Sequence, residues 1–262
     1  MAKTKTTPPL EENPYVKELL DVLKKHNPPG AADLTAMLGN AAKIEQQLAA
    51  AVEEMAAMRR ELAAIREESN PMRKVLQNAI NGMQEQIRAL SEQLETLKAS
   101  IIEGCKSALT AFKERGAAAL NGIAKFFNVK PALEAIAKSC DQAAKDNTKT
   151  INTVERISKE YHKAGRHLRN VGRAMTGRKL IPSAKPVGKV AAAVEAPLKA
   201  ARACNLAMRN AARAALKNLS QLEKAADRKP RIEEQYKKAA GEAARHNAAR
   251  DTHTKPAPTK DR

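Results

Sequence analysis

The chain has 262 residues, with 47 Lys and Arg against 29 Asp and Glu, a formal net charge of +18, only 2% aromatic residues and no Trp. So little bulky apolar volume excludes a large globular core, and three well-separated cysteines, Cys105, Cys140 and Cys204, suggest neither a zinc site nor a disulfide framework. Alanine, the strongest helix former, fills 51 positions and the apolar residues recur with helical period. The fold class this implies is all-α: elongated, with long Ala-rich helices, coiled-coil-like packing and disordered termini.

Residues 1–40 are expected to form a polar tail and a short helical cap. Asn13-Pro14, an N-cap residue followed by Pro at the first helical position, opens a helix with Val16, Leu19, Leu20 and Leu23 inward, and Asn27-Pro28-Pro29-Gly30 stops it. A second short helix carries Leu34, Met37 and Leu38 before Gly39. Residues 33–38 offer no basic recognition face, so this pair is expected to pack against the next helix rather than to enter a DNA groove.

Residues 41–128 hold the longest apolar pattern, with a stripe at Ile44, Leu48, Ala51, Met55, Met58, Leu62 and Ile65, resumed at Leu76 and continuing to Ile101. Its steps of three and four average the 3.5 residues of a coiled-coil seam. Asn70-Pro71 interrupts it, because Pro cannot donate to the preceding turn and crowds its carbonyls. Ile44, Leu48, Met55, Met58, Leu62 and Ile65 are therefore a candidate oligomer seam. Two closures are open to it. A parallel second copy would oppose Glu54 and Glu61 to Arg59 and Arg66, whereas a helix of the same chain could cover the seam instead. From Pro71 the pattern predicts a helix of about 57 residues, on the order of 85 Å long, ending at Asn128-Val129-Lys130-Pro131.

Residues 131–178 read as a basic amphipathic helix whose apolar face runs from Leu133 through Val154 to Tyr161, Gly165, Leu168, Gly172 and Met175. Gly165 and Gly172 share that face, and a missing side chain there predicts the close approach of another helix. Thr176 to Gly188 is an irregular connection. Ala-rich helices follow over 189–246, kinked at Pro197 and broken at Lys229-Pro230, before a disordered tail, 247–262.

No catalytic constellation emerges. Gly172-Arg173-Ala174-Met175-Thr176-Gly177-Arg178-Lys179 spaces its glycines as a phosphate loop does, but lacks the Lys-Ser/Thr after the second glycine and the preceding strand; a helix C-cap at Gly177 explains it better. His162 and His167, five apart, lie about 140° apart around a helix and have no partner ligands. The expectation is a non-enzyme without cofactor, metal or small-molecule substrate. No run approaches the roughly 18 apolar residues of a membrane span and residues 1–9 carry no apolar leader core, so the expected location is the cytoplasm.

Charge is distributed unevenly. Residues 1–100 hold 13 Lys and Arg against 14 Asp and Glu, so the whole excess lies beyond them. It is densest from Arg156 to Lys189, where Lys159, Lys163, Arg166, Arg169 and Arg173 are the candidate phosphate-contacting residues. With few amide side chains among them to read base edges, these cations could neutralise backbone phosphates without regard to sequence. The alternative is a solvated face that keeps a basic protein soluble. A membrane surface fits less well, since the basic helix pairs with Ala and Gly rather than with bulky apolar residues.

Four stretches carry a resemblance: Asn13-Pro14-Tyr15-Val16-Lys17-Glu18-Leu19-Leu20, Ala56-Ala57-Met58-Arg59-Arg60-Glu61-Leu62, Ile101-Ile102-Glu103-Gly104-Cys105-Lys106 and Tyr161-His162-Lys163-Ala164-Gly165-Arg166-His167-Leu168. Together they resemble an uncharacterised family of clostridial proteins that accompanies integrative and conjugative elements. The resemblance implies a bacterial mobile-element context and assigns no activity. The function expected is a non-enzymatic coiled-coil structural or interaction protein, partnered by a second copy or another helical protein; the alternative is a sequence-independent nucleic-acid-binding accessory protein using its basic C-terminal helices.

Overall fold

The computed structural model describes residues 8–65, 71–182 and 189–227. The expectations for Asn70, for residues 228–246 and for the tail 247–262 lie outside the described residues. Within them every regular element is helical. A 3₁₀ turn, Leu10–Glu12, precedes α1 (Pro14–His26), α2 (Ala31–Ala64) and α3 (Pro71–Arg115); a 3₁₀ segment, Gly116–Phe126, leads to α4 (Lys130–Met175) and α5 (Lys189–Asp227). None of these helices is long and apolar enough to cross a membrane.

Local chemistry sets the first boundaries. Asn13 Oδ1 accepts from the Tyr15 amide at 3.0 Å and Pro14 takes the first helical position, where its missing N–H costs nothing. α1 ends at Asn27 in the left-handed region (φ 40), and Gly30 (φ 84) turns the chain into α2. A Cβ on Gly30 would stand 2.5 Å from Leu222 Cδ1, so the end of α5 packs directly on this corner. The expected short helix before Gly39 is instead the first turns of α2. The helix passes through Gly39 because Leu34, Met37, Leu38, Ala41 and Ile44 form one buried stripe whose packing outweighs a single glycine's helix cost of about 1 kcal/mol.

The apolar seam closes within the chain. α2 ends at Ala64 and α3 starts at Pro71, and Arg73 Nη1 donates to the Ile65 carbonyl at 2.9 Å. The two helices then run antiparallel: Arg59 Nη2 donates to Gln84 Oε1 at 2.9 Å and Lys98 Nζ to Glu45 Oε1 at 2.7 Å, in one register. Ile44, Leu48, Met55, Met58 and Ile65 are buried among side chains of their own chain, with Leu62 half-buried at the edge. The parallel two-copy closure is corrected accordingly. α2 meets α3 head to tail, so the second half of the stripe packs on the first.

The long helix from Pro71 is also shorter than its stripe. It ends at Arg115, and Gly116 (φ 68) reverses the chain so that residues 116–126, two 3₁₀ stretches joined at Gly122, return along α3. Phe127 comes to rest on Gly104, where a Cβ would stand 2.7 Å from its ring. α4 continues this return, with Gln93 Nε2 donating to Ser139 Oγ at 3.1 Å. α5 runs back antiparallel to α4, tied by Arg209 Nη1 to Asp141 Oδ1 at 3.0 Å, and includes Pro197.

α2, α3, α4 and α5 thus form an up-down-up-down bundle, with α1 across one end. Its core is Leu, Ile, Met and Ala from all four helices, in two clusters along the bundle. Among the described residues two charged side chains are buried, Lys98 and Glu195. Lys98 is 2% exposed and reaches Glu45, whose Oε2 also accepts from the Leu10 amide at 3.1 Å. That pairing fastens the N-terminal segment to the α2–α3 hairpin.

Candidate functional site

α4 outruns the bundle. Its inward positions are buried from Leu133 to Ser158, but α2 has already ended at Ala64, and in the register that aligns Asn78 with Thr153 the start of α3 is reached near residue 160. The remaining turns, Lys159 to Met175, project as an arm of about 25 Å at 1.5 Å per residue. The heptad face does not stop where its partners stop. Tyr161, Leu168 and Met175 continue it at 66%, 76% and 84% exposure, and no neighbouring element among the described residues comes within 4 Å of a Cβ built on Gly165 or Gly172. The close helix packing expected at these glycines is therefore absent among the described residues, and Tyr161 is not held by the bundle.

The chain after α4 folds back along the opposite side of the arm. Gly177 (φ 66) is the left-handed residue that ends the helix, as its sequence suggests, and the Arg178 amide donates to the Arg173 carbonyl at 2.9 Å. The strap that follows is pinned by side chains of α4. Asn170 donates to the Ile181 carbonyl at 3.2 Å and accepts from the Ile181 amide at 2.9 Å, Arg173 Nε donates to the Lys179 carbonyl at 2.6 Å, and Arg166 Nη1 to the Pro182 carbonyl at 3.4 Å.

This divides the candidate phosphate contacts. Lys159, Lys163, Arg166, Arg169 and Arg173 do lie on one helix, but Arg166 and Arg173 are half-buried holding the strap. Lys163 is paired with Glu160 at 2.8 Å, while Lys159 and Arg169 are exposed. Arg178 and Lys179 add two exposed cations on the strap. Over residues 159–182 seven Lys and Arg face a single acid, Glu160, so the arm is strongly cationic.

Sequence reasoning found the cations and missed the strap. The signal was there in Asn170, whose amide can serve both backbone groups of one residue, eleven positions before Ile181 and with a C-cap glycine between them. The open face had a signal too: the apolar stripe of α4 spans a helix of 46 residues, against 34 for α2.

Elsewhere the chemistry is sparse. Among the described residues no three His, Cys, Asp or Glu side chains are placed to hold a metal ion, and His162 and His167 join no such group. Burial pushes the Cys105 and Cys140 thiols up to about 12, which suppresses the nucleophilic thiolate. A cleft of about 420 Å³ between α3 and α4 is lined by Asn78, Gly82, Asn147, Thr150 and Thr153, with Asn147 Nδ2 buried and lacking a protein hydrogen-bond partner. Asp146 and Lys149, paired with each other at 3.2 Å, also line it.

Over residues 12–262 the chain matches the model of a family described as "Family of unknown function (DUF6674)". The chain belongs to that family. Neither a curated protein nor a solved structure matches it. Membership in DUF6674 brings no activity with it, so the arm and its surroundings are the basis for a functional reading.

Proposed function

We propose that the protein is a non-enzymatic interaction scaffold of a bacterial mobile genetic element, in which the helical bundle holds the α4 arm out to a macromolecular partner. The observation that carries this reading is the continuation of a core-type apolar face for two heptads beyond the bundle, at Tyr161, Leu168 and Met175. Exposed apolar side chains in a row along a helix are the usual mark of an interaction site. The resemblance of four stretches to proteins that accompany integrative and conjugative elements supports the mobile-element context. The test is conjugal: in a donor carrying the element, Leu168→Asp with Met175→Asp reduces transfer or maintenance of the element while the protein accumulates normally. Unchanged transfer in a donor lacking the gene altogether refutes the reading.

A second reading is sequence-independent binding of nucleic-acid backbone, supported by the exposed Lys159, Arg169, Arg178 and Lys179 and by Lys163. With Arg166 and Arg173 occupied by the strap, the three remaining α4 cations together with Arg178 and Lys179 leave about five for phosphates, and log K falls with log salt at a slope of about −4.5. A duplex titration across salt, repeated with Lys159→Ala and Arg169→Ala, measures it. Absence of binding at low salt removes this reading.

A further inference from the structure

We infer that the open face of the arm, Tyr161, Gly165, Leu168, Gly172 and Met175, docks an acidic amphipathic helix from a partner protein. The proposal rests on the scaffold reading and names the partner class for that site. In the heptad that α4 uses inside the bundle, Tyr161, Leu168 and Met175 take one seam position and Gly165 and Gly172 the other. Large and absent side chains alternate. A facing helix can set bulky apolar knobs over each glycine and come closer than it could over any residue with a Cβ. Each glycine costs a helix about 1 kcal/mol relative to alanine, and at Gly165 and Gly172 no neighbour among the described residues uses the space so created. A helix of another protein would use it.

Charge selects its kind. Arg169 and His162 flank the seam on one side, Arg173 lies just beyond, and the arm as a whole carries seven Lys and Arg against Glu160. A second copy of the arm, crossing antiparallel at Leu168, would bring Arg169 close to its own mate and set two strongly cationic helices together. Residues 228–262 of this chain are no better suited, having ten Lys and Arg against five Asp and Glu. A helix with Glu or Asp beside its apolar stripe meets Arg169 with opposite charge. The strap leaves this face clear, because Arg166, Asn170 and Arg173 hold it on the far side of the helix.

The test titrates the full-length protein with two synthetic helical peptides sharing one Leu heptad, one with Glu and one with Lys at the flanking positions, followed by calorimetry. The acidic peptide binds saturably with micromolar affinity and the basic one does not bind. Gly172→Leu, whose Cβ meets no neighbouring element within 4 Å among the described residues, leaves circular dichroism and melting unchanged yet weakens the acidic peptide at least roughly tenfold, or about 1.4 kcal/mol; Leu168→Ser does likewise. Equal binding of both peptides, acidic binding indifferent to Gly172→Leu, no binding of the acidic peptide, or dimerisation of the protein through the arm each overturns the proposal. Duplex DNA that displaces the acidic peptide and ignores Gly172→Leu assigns the surface to nucleic acid and overturns it as well. A transfer defect in the Leu168→Asp Met175→Asp donor without acidic-peptide binding defeats the helix partner alone, whereas normal transfer without the gene defeats the scaffold reading itself.

Discussion

Three glycines in two long helices should respond in opposite directions to the same substitution. At Gly104 an added Cβ would lie 2.7 Å from Phe127 Cδ1 and 2.8 Å from the Phe126 carbonyl oxygen. The ring is buried and the oxygen belongs to backbone, so neither can turn aside, and the returning 3₁₀ segment must move off α3 by roughly half an ångström or more to restore normal contact. Overpacking of this sort costs up to about 3 kcal/mol. Alanine's better helix propensity offsets about 1 kcal/mol of it, leaving Gly104→Ala destabilised by about 2 kcal/mol. At Gly165 and Gly172 no neighbouring element among the described residues comes within 4 Å of the new Cβ, so only the propensity gain remains. Urea unfolding followed by far-ultraviolet circular dichroism should show a lower midpoint at unchanged slope for Gly104→Ala. Amide exchange over residues 160–175 should slow by a factor of about 5 for each of Gly165→Ala and Gly172→Ala, since the arm opens locally. A Gly104→Ala protein as stable as the parent, or an arm that loses protection on Gly172→Ala, would refute the packing on which both the fold and the open face are argued.

Other perturbations probe the bundle. Lys98→Ala leaves Glu45 without its buried partner and should cost about 3 kcal/mol in the same urea assay; a loss below about 1 kcal/mol would mean that the charge is solvated. Hydrogen bonds from Lys145 first and Arg209 second hold the Asp141 carboxyl below its ordinary value of 3.8. A depressed folded-state value contributes stability that is present above 3.8 and lost as pH falls through the folded value, so Asp141→Asn should be less stable than the parent at neutral pH and converge on it in acid. A difference independent of pH would contradict this. Lys199, raised above 10.5 by its hydrogen bond from Nζ to Glu195, behaves conversely: its contribution is full below 10.5 and fades as pH rises through the folded value, so Lys199→Met should converge on the parent only in strong alkali. With thiol reagents on the native protein, half-buried Cys204 should be modified before Cys105 and Cys140, whose burial holds them protonated; early modification of Cys105 would show that its end of the core opens.

The sequence by itself determined where helices start and stop wherever the cause is local. Asn13-Pro14, Asn27 to Gly30, Pro71 and Gly177 act through capping atoms and permitted φ values within a few residues, and each lies where the chain pattern places it. The stripe of α2 likewise identified its buried face, because helical period alone aligns Ile44 with Ile65. Which surface would cover that face depended on a reversal of direction between residues 65 and 71 that periodicity does not encode, since a heptad seam is equally complete against a second copy or against its own continuation. Gly116 was unreadable for the same reason: an isolated glycine in an apolar helical pattern is tolerated inside helices, and only the contact of Phe127 with Gly104 makes the chain turn there. The cations of α4 were visible one by one, but whether each faced solvent or held the strap, and whether Tyr161, Leu168 and Met175 met a neighbour, was decided by where α2 and α3 end against α4. Burial belongs to pairs of segments distant in sequence, and relative length and register exist only once the helices have packed.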